Sequence, residues 1–494
     1  MKNRAILLSL AAIMVTTSLA ACGGGTESDH ITTTEPVTET QEVTEAVDER
    51  LAVDDGLGDY DFGGYQFRIA TSNGNTPHYD MDAGTGDVVD DAIFARNRAV
   101  EERFNCDISV INDTGHRETG IITTSVSAGD DAIDLIAWHV VLLGSIVTNN
   151  YFLNWYDIPN VNFDQPWWSD SNNDNLSYGG YCPIAIGDLM LSAIGGTYNV
   201  YYNKTLGANY DLPDMYEIVN DGGFTIDYLI GTTKELYEDL NGNNEIDNGD
   251  LFGYTSDCQS NICTYLWAFD DPLFVRDGEK ITFALDLEKT AQIVDKLYDA
   301  FSVNNGIRMD KNYVSPSGLS KFNYGIEMFA AGQSVFANGC LGHSLTYLRD
   351  MKDDYAILPY PKWDENQDTY YTMVDGSHQV MAVPITVSDT ERVGTIIEAL
   401  CAESYKTVIP AYYDVALKLK GTRDDTSIEM LDRILDSRVF DFGYIYDAWS
   451  GAAFIMQSIF EQNEPNFSSF WAKKEKGIMK HYNKVIDYFE NYNG

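Results

Sequence analysis

The sequence predicts an α/β protein, because strand-like and helix-like segments alternate along most of the chain. Residues 65–70 alternate polar and apolar side chains, as a half-buried strand does, and run into a polar loop at 73–75. Residues 88–104 then place apolar side chains at largely helical spacing, and residues 106–110 return to a strand pattern. Residues 134–138 (DLIAW) give a further short strand. This β-α-β opening and the alternation that follows predict mixed sheets with helices packed on them.

The first residues have the pattern of a secretory signal peptide. Two basic residues precede an apolar run, 5–15, that is too short to span a membrane. Residues 19–22 (LAAC) resemble the lipobox of bacterial lipoproteins, in which cleavage precedes a cysteine that then carries diacylglycerol. We therefore expect a signal peptide over residues 1–21 and a lipid on Cys22. An ordinary signal peptide followed by an incidental cysteine is the alternative.

The segment after the lipidated cysteine, residues 22–59, has the composition of a disordered tether. It is rich in Gly, Thr, Glu, Asp and Val, and it contains no Trp, Tyr or Phe. Such a segment cannot bury enough apolar surface to offset the entropy lost on ordering. The remaining residues, 60–494, suffice for two or three ordinary domains or one large two-lobed one. The chain's 44% apolar content supports a sizeable core.

Charge and cysteine content exclude several classes of function. The formal net charge of −44 repels nucleic acid phosphates, so no DNA or RNA partner is expected. The same acidity also serves solubility. No cysteines or histidines have zinc-ligand spacing. Only Cys258 and Cys263 are close enough in sequence to suggest a disulfide, and buried free thiols are expected elsewhere.

Several short segments carry a resemblance to a known family. An extended aromatic strand at 198–204 (YNVYYNK) ends in a polar turn, and residues 332–339 (GQSVFANG) follow a predicted helix. Their order and spacing are similar to landmarks of the family 1 extracellular solute-binding proteins, which include maltose-binding protein. A third landmark of the family matches residues 379–384 (QVMAVP). Further matching segments, which look especially like lipoproteins of anaerobic Gram-positive bacteria, are 90–97 (DDAIFARN), 357–362 (ILPYPK) and 398–406 (EALCAESYK).

The resemblance implies an α/β, two-lobed periplasmic-binding-protein-like fold of type II with a three-strand hinge. The hinge strands would be 198–204, 329–338 and 379–384. Lobe 1 would then contain residues 60–197 plus 339–378, and lobe 2 residues 198–338 plus 379–494. Such proteins capture a small molecule by closing two lobes and deliver it to the permease subunits of an ABC importer. The implied protein is a monomer on the outer face of the cytoplasmic membrane, and its ligand is a carbohydrate, more specifically an oligosaccharide.

The candidate ligand-binding residues follow from the chemistry of a sugar. Sugars present apolar C–H faces and a rim of hydroxyls, so their sites combine aromatic platforms with polar edges. Loops at the carboxyl ends of strands are where open α/β sheets place such residues. Core packing is the alternative for each aromatic residue. The predicted ligand-binding residues are Asn73, Trp138, His139, Tyr198, Trp267, Asp271, Asn338, Asp375, Ser377, His378, Asp441, Tyr444 and Trp449.

Residues 239–250 (DLNGNNEIDNGD) have the spacing of a twelve-residue calcium loop of the EF-hand or dockerin kind. Asn244 replaces the usual glycine at position 6, and Asp250 replaces the bidentate glutamate at position 12. A plain polar turn is the alternative, and a bound calcium ion would be structural. The predicted ligands, with Glu245 contributing its backbone carbonyl, are Asp239, Asn241, Asn243, Glu245, Asp247 and Asp250.

The sequence contains none of the common catalytic signatures. It has no Gly-x-Ser-x-Gly elbow, no His-Glu-x-x-His pair and no glycine-rich phosphate loop. No catalytic residues are therefore predicted. Two alternatives remain open at this point: a surface adhesion or scaffold lipoprotein, and a secreted glycoside-acting enzyme that uses a pair of carboxylates.

Overall fold

The structure, a computed structural model, describes residues 49–72, 75–81, 84–113, 118–303, 306–312, 323–413 and 425–492. The signal peptide, Cys22 and most of the tether lie outside these residues, so the corresponding statements stay predictions.

The described residues alternate between strands and helices, and this confirms the predicted α/β class. None of the described helices is long and apolar enough to cross a membrane. The strands are β1 (Tyr65–Ser72), β2 (Cys106–Asp113), β3 (Leu135–His139), β4 (Tyr198–Asn203), β5 (Tyr237–Glu238), β6 (Leu251–Thr255), β7 (Phe274–Asp277), β8 (Lys280–Phe283), β9 (Ile307–Arg308), β10 (Ser334–Cys340), β11 (Tyr355–Leu358), β12 (Thr372–Met373), β13 (Gln379–Ala382) and β14 (Arg438–Val439). The helices are α1 (Val88–Phe104), α2 (Gly120–Ala128), α3 (Val140–Ile146), α4 (Ser171–Asp174), α5 (Ser192–Gly195), α6 (Lys204–Asn209), α7 (Met215–Asn220), α8 (Ile226–Thr233), α9 (Ser260–Ala268), α10 (Leu287–Val303), α11 (Tyr324–Ala330), α12 (Thr390–Glu403), α13 (Asp425–Asp436), α14 (Phe442–Ile445), α15 (Ile455–Gln462) and α16 (Phe467–Glu490).

Two separate sheets form the centres of two lobes. In the first sheet, of order β13-β3-β1-β2, β1 is parallel to β2 and β3, while β13 is antiparallel to β3. The second sheet has the order β11-β4-β10-β6-β5, with β9 beside β6. We call the lobe around the first sheet lobe 1 and the lobe around the second sheet lobe 2.

The predicted β-α-β unit at the start of lobe 1 is confirmed, and its local chemistry explains it. The carboxylate of Asp87 accepts a hydrogen bond from the amide of Val89 and so caps the first turn of α1. The helix ends at Asn105, which adopts the left-handed conformation with φ 49°. Val100 and Phe104 of the helix are buried against the sheet and α12, where they help to form the core of lobe 1.

Sheet membership corrects the predicted lobe boundaries. β11 lies in the segment 339–378 assigned to lobe 1, yet it pairs with β4 of the second sheet. β13 lies in the segment 379–494 assigned to lobe 2, yet it pairs with β3 of the first sheet. All of β4 is buried between β10 and β11, so its aromatic pattern marks a central strand of lobe 2 and not a hinge.

The connections between the lobes therefore lie outside the segments predicted as hinge strands. Ala185 still bridges to Met381 of the first sheet, whereas β4 belongs to the second, so the first connection precedes β4. The second runs between β11 and β13. The third runs between α12 of lobe 1 and α13, whose side chains pack with β11 in lobe 2.

The folded chain begins earlier than predicted. Residues 49–59 were assigned to the tether, but Glu49–Ala52 forms a helical turn and Val53 and Leu57 pack against the lobe 1 core. Asp55 is only 7% exposed, and its carboxylate accepts hydrogen bonds from the guanidinium of Arg103. The absence of aromatic residues led to the wrong boundary, since two aliphatic side chains and an ion pair between the buried Asp55 carboxylate and the exposed Arg103 anchor this segment.

A chain that begins at Tyr60 should consequently melt at a lower temperature than one that begins at Glu49. Its Arg103 loses a carboxylate partner, and a hydrogen bond to a charged group contributes about 1.5–3 kcal/mol. Asp55→Ala in the longer chain should reproduce much of this loss. Differential scanning calorimetry measures the three midpoints, and equal values would contradict the assignment of residues 49–59 to the fold.

The cysteines of the described chain are all free thiols. The disulfide suggested between Cys258 and Cys263 is therefore not formed. Both side chains are buried in the same apolar core, Cys263 within α9, where they pack as small hydrophobic groups.

Candidate ligand-binding site

A cavity of about 440 Å³ lies between the two lobes. His139, at the end of β3, lines it from lobe 1, and Asp257, just after β6, lines it from lobe 2. Asp375 joins them from the connection between β11 and β13. The cavity thus lies where strands of both sheets end, the usual position of ligand sites in open α/β sheets.

Some of the predicted ligand-binding residues line this cavity together. The predicted residues that line it are His139, Tyr198, Asp375, Ser377, Tyr444 and Trp449. Asn73 lies outside the described residues. Whether the six contact a ligand stays a prediction.

Two predicted aspartates have structural roles elsewhere. Asp271 accepts hydrogen bonds from the amide of Asp286 (2.9 Å) and the hydroxyl of Thr290 (2.7 Å) at the start of α10. Asp441 caps α14 by accepting from the amide of Tyr444 at 3.0 Å. Both carboxylates are buried and do not line the cavity. Asp441 directly precedes a helix, where a short acidic side chain is a preferred N-cap.

The other predicted residues outside the cavity are buried in the lobes. Trp138 and Trp267 fill the apolar core, and the ring of Trp267 packs edge-on against Tyr444. Asn338, on β10, is 1% exposed and accepts a hydrogen bond from the hydroxyl of Tyr254. His378 lies behind the cavity, in a small neighbouring pocket.

Asp375 contributes a well hydrogen-bonded carboxylate to the cavity wall. Its carboxylate accepts from the hydroxyls of Tyr198 and Ser377 and from the amide of Ser377 at 2.8 Å. Burial alone would raise the pKa of Asp375, but these hydrogen bonds, with the charge of His139, bring it below its ordinary value. Asp375 is therefore a fixed negative charge at neutral pH.

Gly376 lets the cavity wall come close to Tyr444 and to Val141 of α3. A Cβ at this position would lie 2.4 Å from the hydroxyl oxygen of Tyr444 and 2.9 Å from Cγ2 of Val141. No side chain larger than hydrogen fits there without displacing one of these neighbours. The residue between Asp375 and Ser377 must therefore be glycine for the wall to keep this geometry.

Asp257 supplies a second carboxylate, which the sequence analysis missed. It accepts from the amide of Gln259 at 2.9 Å and from the side-chain amide of Asn261. Burial raises the pKa of Asp257 to about 7, and the charge of Asp375 adds to this. The sequence carried a usable signal, because Asp257 follows the short, largely apolar segment 251–254 (LFGY), which forms most of β6.

His343 also lines the cavity and was not predicted from the sequence. Its Nδ1 accepts a hydrogen bond from the amide of Cys340 at 3.1 Å. Burial lowers the pKa of His343 to about 4, so the imidazole is neutral at pH 7 and its proton lies on Nε2. The cavity wall thereby combines an N–H donor with two carboxylate acceptors.

Trp449 gives the cavity an aromatic platform. Its side chain is 56% exposed, and its ring stacks on Phe454 with a centroid distance of 4.8 Å and an interplanar angle of 24°. Ala448 (φ 44°) and Trp449 (φ 63°) both adopt the left-handed conformation, which is costly for residues with a Cβ. An exposed indole held by strained backbone beside carboxylates suits the apolar face of a sugar.

The fold and the cavity define a two-lobed solute-binding-protein architecture with its cleft between α/β lobes. Comparison with solved structures confirms this architecture. Maltose-bound MalE3 of T. maritima matches with a TM-score of 0.52 and 12% identity, over 85% of this chain and 100% of that one. MalE of Bdellovibrio bacteriovorus bound to maltotriose matches with a TM-score of 0.55 and 13% identity, over 85% and 99%.

UgpB of Mycobacterium tuberculosis, in complex with glycerophosphocholine, matches with a TM-score of 0.56 and 13% identity, over 86% of this chain and 99% of that one. At these identities the likeness concerns the fold. Comparison with protein-family models found no match. Comparison with curated proteins found none either.

Proposed function

We propose that this chain is the extracytoplasmic substrate-binding component of an ABC importer, and that it captures an oligosaccharide in the cavity between its lobes. The observation that carries the proposal is the stack of exposed Trp449 on Phe454, which lines one cavity together with the buried carboxylate of Asp257 and the partly buried carboxylate of Asp375. Maltose and maltotriose in structurally similar proteins support the same class of ligand.

The charge of the cavity narrows the ligand class. Among the described residues that line it there are two aspartates and no lysine or arginine. Acidic sugars and phosphate esters would be repelled by Asp375, whereas neutral hydroxyls donate hydrogen bonds to carboxylates. A neutral oligosaccharide is therefore the ligand that fits this wall best.

The mechanism is capture by closure. Contacts from His139 in lobe 1 and Asp257 in lobe 2 reach the same ligand only when the lobes are together, so binding shifts the population toward the closed form. The closed monomer then docks on the permease subunits. The full chain has a formal charge of −44, which repels nucleic acid phosphates, so no nucleic acid partner is proposed.

The proposal includes a lipid anchor at Cys22, supported by the signal-like residues 1–21. Dual acylation holds a protein on a membrane stably. The chain then lies on the outer face of the cytoplasmic membrane. Cys22→Ser should release the protein from washed membranes of the producing cells into the medium, and retention of the variant would contradict the anchor.

Glycoside hydrolysis is the second candidate, because one cavity carboxylate has a raised pKa and the other a lowered one. Binding without catalysis is the function proposed here. Mass spectrometry of a bound oligosaccharide after prolonged incubation separates the two: an intact sugar supports capture, and shorter products support the enzyme.

The direct test is a thermal-shift screen of the chain from Glu49 onward. Neutral oligosaccharides, starting with maltose and maltotriose, are compared with uronic acid oligomers, peptides and amino acids. A ligand at 100 times its Kd adds about 2.7 kcal/mol and raises the midpoint by a few degrees. Stabilisation by a neutral sugar class supports the proposal.

Two other outcomes of the screen would contradict it. Stabilisation by peptides alone would show that the ligand class is wrong, and no stabilisation at all would favour the adhesion or scaffold alternative.

The affinity for such a sugar should rise between pH 6 and pH 8. The pKa of Asp257 is about 7, and its ionised form accepts hydroxyl hydrogen bonds better than its protonated form does. The pKa of His343, about 4, and the lowered pKa of Asp375 lie below this range. Calorimetric titrations at both pH values measure the change. Asp257→Asn should remove it, and an equal pH dependence in the variant would contradict the role of Asp257.

A further inference from the structure

We infer that loop 239–250, between β5 and β6 of lobe 2, is a structural calcium site. The inference is independent of the function of the cleft. Positions 1, 3, 5, 9 and 12 of the loop are Asp239, Asn241, Asn243, Asp247 and Asp250, and the carbonyl of residue 245 stands at position 7. Calcium takes six to eight oxygen ligands, and these residues offer that number.

The backbone conformation at position 6 matches that of a calcium loop, although the residue there is not glycine. Position 6, normally glycine, is Asn244, which adopts φ 61°. This is the left-handed conformation that the glycine of such loops provides, and asparagine tolerates it better than other residues with a Cβ. The replacement of glycine therefore leaves the turn of the loop intact.

The side chain of Asp250 gives an independent indication of an ion. It is 0% exposed, and among the described residues its Oδ1 atom has no hydrogen-bond donor. Its Oδ2 atom accepts from the amide of Asp247 at 2.9 Å, so the carboxyl group faces the loop. A buried carboxylate oxygen without a partner is costly, and a cation at this position would satisfy it.

In the loop, the carboxylate of Asp247 already accepts hydrogen bonds from two side-chain amides. The side-chain amides of Asn241 and Asn243 donate to its two oxygens at 2.9 and 2.6 Å. A calcium ion would replace these N–H groups, since rotation of an asparagine amide exchanges its nitrogen for its oxygen. The same side chains then become ligands.

The ligand chemistry selects a hard cation. In the described part of the chain, carboxylate, histidine and cysteine side chains alone do not assemble a metal site. At loop 239–250, the amides of Asn241 and Asn243 and the carbonyl of Glu245 complete the carboxylate set. An all-oxygen site without sulfur or imidazole suits calcium and not zinc or copper.

The ion would stabilise the part of lobe 2 that leads to the cleft. Asn248 donates to Asp310 at 2.9 Å and accepts from Tyr324, the first residue of α11, at 3.2 Å. Gln333 donates to the carbonyl of Asp250 at 3.2 Å. The loop continues directly into β6, after which Asp257 reaches the cavity.

The test uses the chain from Glu49 onward, freed of metal with a chelator. Calcium should raise its thermal midpoint by a few degrees, and magnesium should do so far less. Terbium should show emission sensitised by Tyr237, whose hydroxyl bonds Asp250 at 2.9 Å, and calcium should quench that emission by displacement. Absence of both signals would overturn the site.

Two variants separate a site from general screening of negative charge. Asp239→Asn with Asp247→Asn keeps the shape of two partly exposed side chains and should weaken calcium binding at least about tenfold. Asp364→Asn, in the exposed turn where Asp364 bonds the amide of Asn366, is the matched control and should respond as the parent does. Equal calcium responses in all three proteins would overturn the proposal.

Discussion

Trp449→Ala is expected to weaken binding of the captured sugar by about 10- to 100-fold while leaving the thermal midpoint of the ligand-free protein unchanged. Stacking of a sugar face on the indole removes apolar area from water, and covering a large side chain contributes about 1.5–3 kcal/mol. The indole contributes little to the core, because Trp449 is 56% exposed and its ring stacks on Phe454, which also lines the cavity. Isothermal titration calorimetry with the sugar found in the thermal-shift screen measures the affinity.

The matched control for this prediction is Val275→Ala. Val275 is also exposed, at 46%, and lies on β7 away from the cavity. Its removal should change neither affinity nor stability. If Trp449→Ala bound the sugar as the parent does, the platform would have no role in capture. If it unfolded the protein, the indole would belong to the core.

Asp375→Asn should weaken binding of the same sugar by about 10- to 100-fold, because the substitution removes a fixed charge from the cavity without changing the shape of the side chain. A hydrogen bond to a charged acceptor contributes about 1.5–3 kcal/mol, more than one to a neutral amide. The hydroxyl and amide of Ser377 donate to one carboxylate oxygen and can still donate to the oxygen of the asparagine. The hydroxyl of Tyr198 bonds the other carboxylate oxygen and would accept from the new amide nitrogen instead, so we expect a small change in stability.

Calorimetry and the thermal midpoint again distinguish the outcomes for Asp375→Asn. Ser377→Ala is the companion variant: it removes one donor to Asp375 but leaves the carboxylate and the amide hydrogen bond at 2.8 Å in place. It should lose less affinity than Asp375→Asn. Equal affinity of Asp375→Asn and the parent would show that the carboxylate only supports the wall.

Local elements of the fold were predictable from the sequence, because short-range chemistry determines them. The periodicity of residues 88–104 and the strands on either side produced the observed β-α-β unit. The position of β4 in the sheet was not predictable in this way. The sequence of a buried strand looks the same whether the strand crosses between lobes or lies at the centre of one. Only the pairing of β4 with β10 and β11 shows that it is a central strand of lobe 2.

The site was predictable only in part, because the same residue types serve the cleft and the scaffold. Asp375, Asp271 and Asp441 all stand in aromatic, polar neighbourhoods of the sequence, yet only Asp375 lines the cavity, while the other two bond the starts of helices. The helix that begins directly after Asp441 was a usable signal for a cap. For Asp257, the end of β6 was a usable signal for the cleft.

The central claim is that both lobes hold one ligand. Hydrogen–deuterium exchange with and without the captured sugar tests this claim most directly. Slower exchange is expected together at 139–142 of lobe 1, at 257–261 of lobe 2 and at 375–377 between them, because all three segments line one cavity. Trp449→Ala should lose this protection at the same sugar concentration. Protection confined to one lobe, or located away from the cavity, would contradict capture between the lobes.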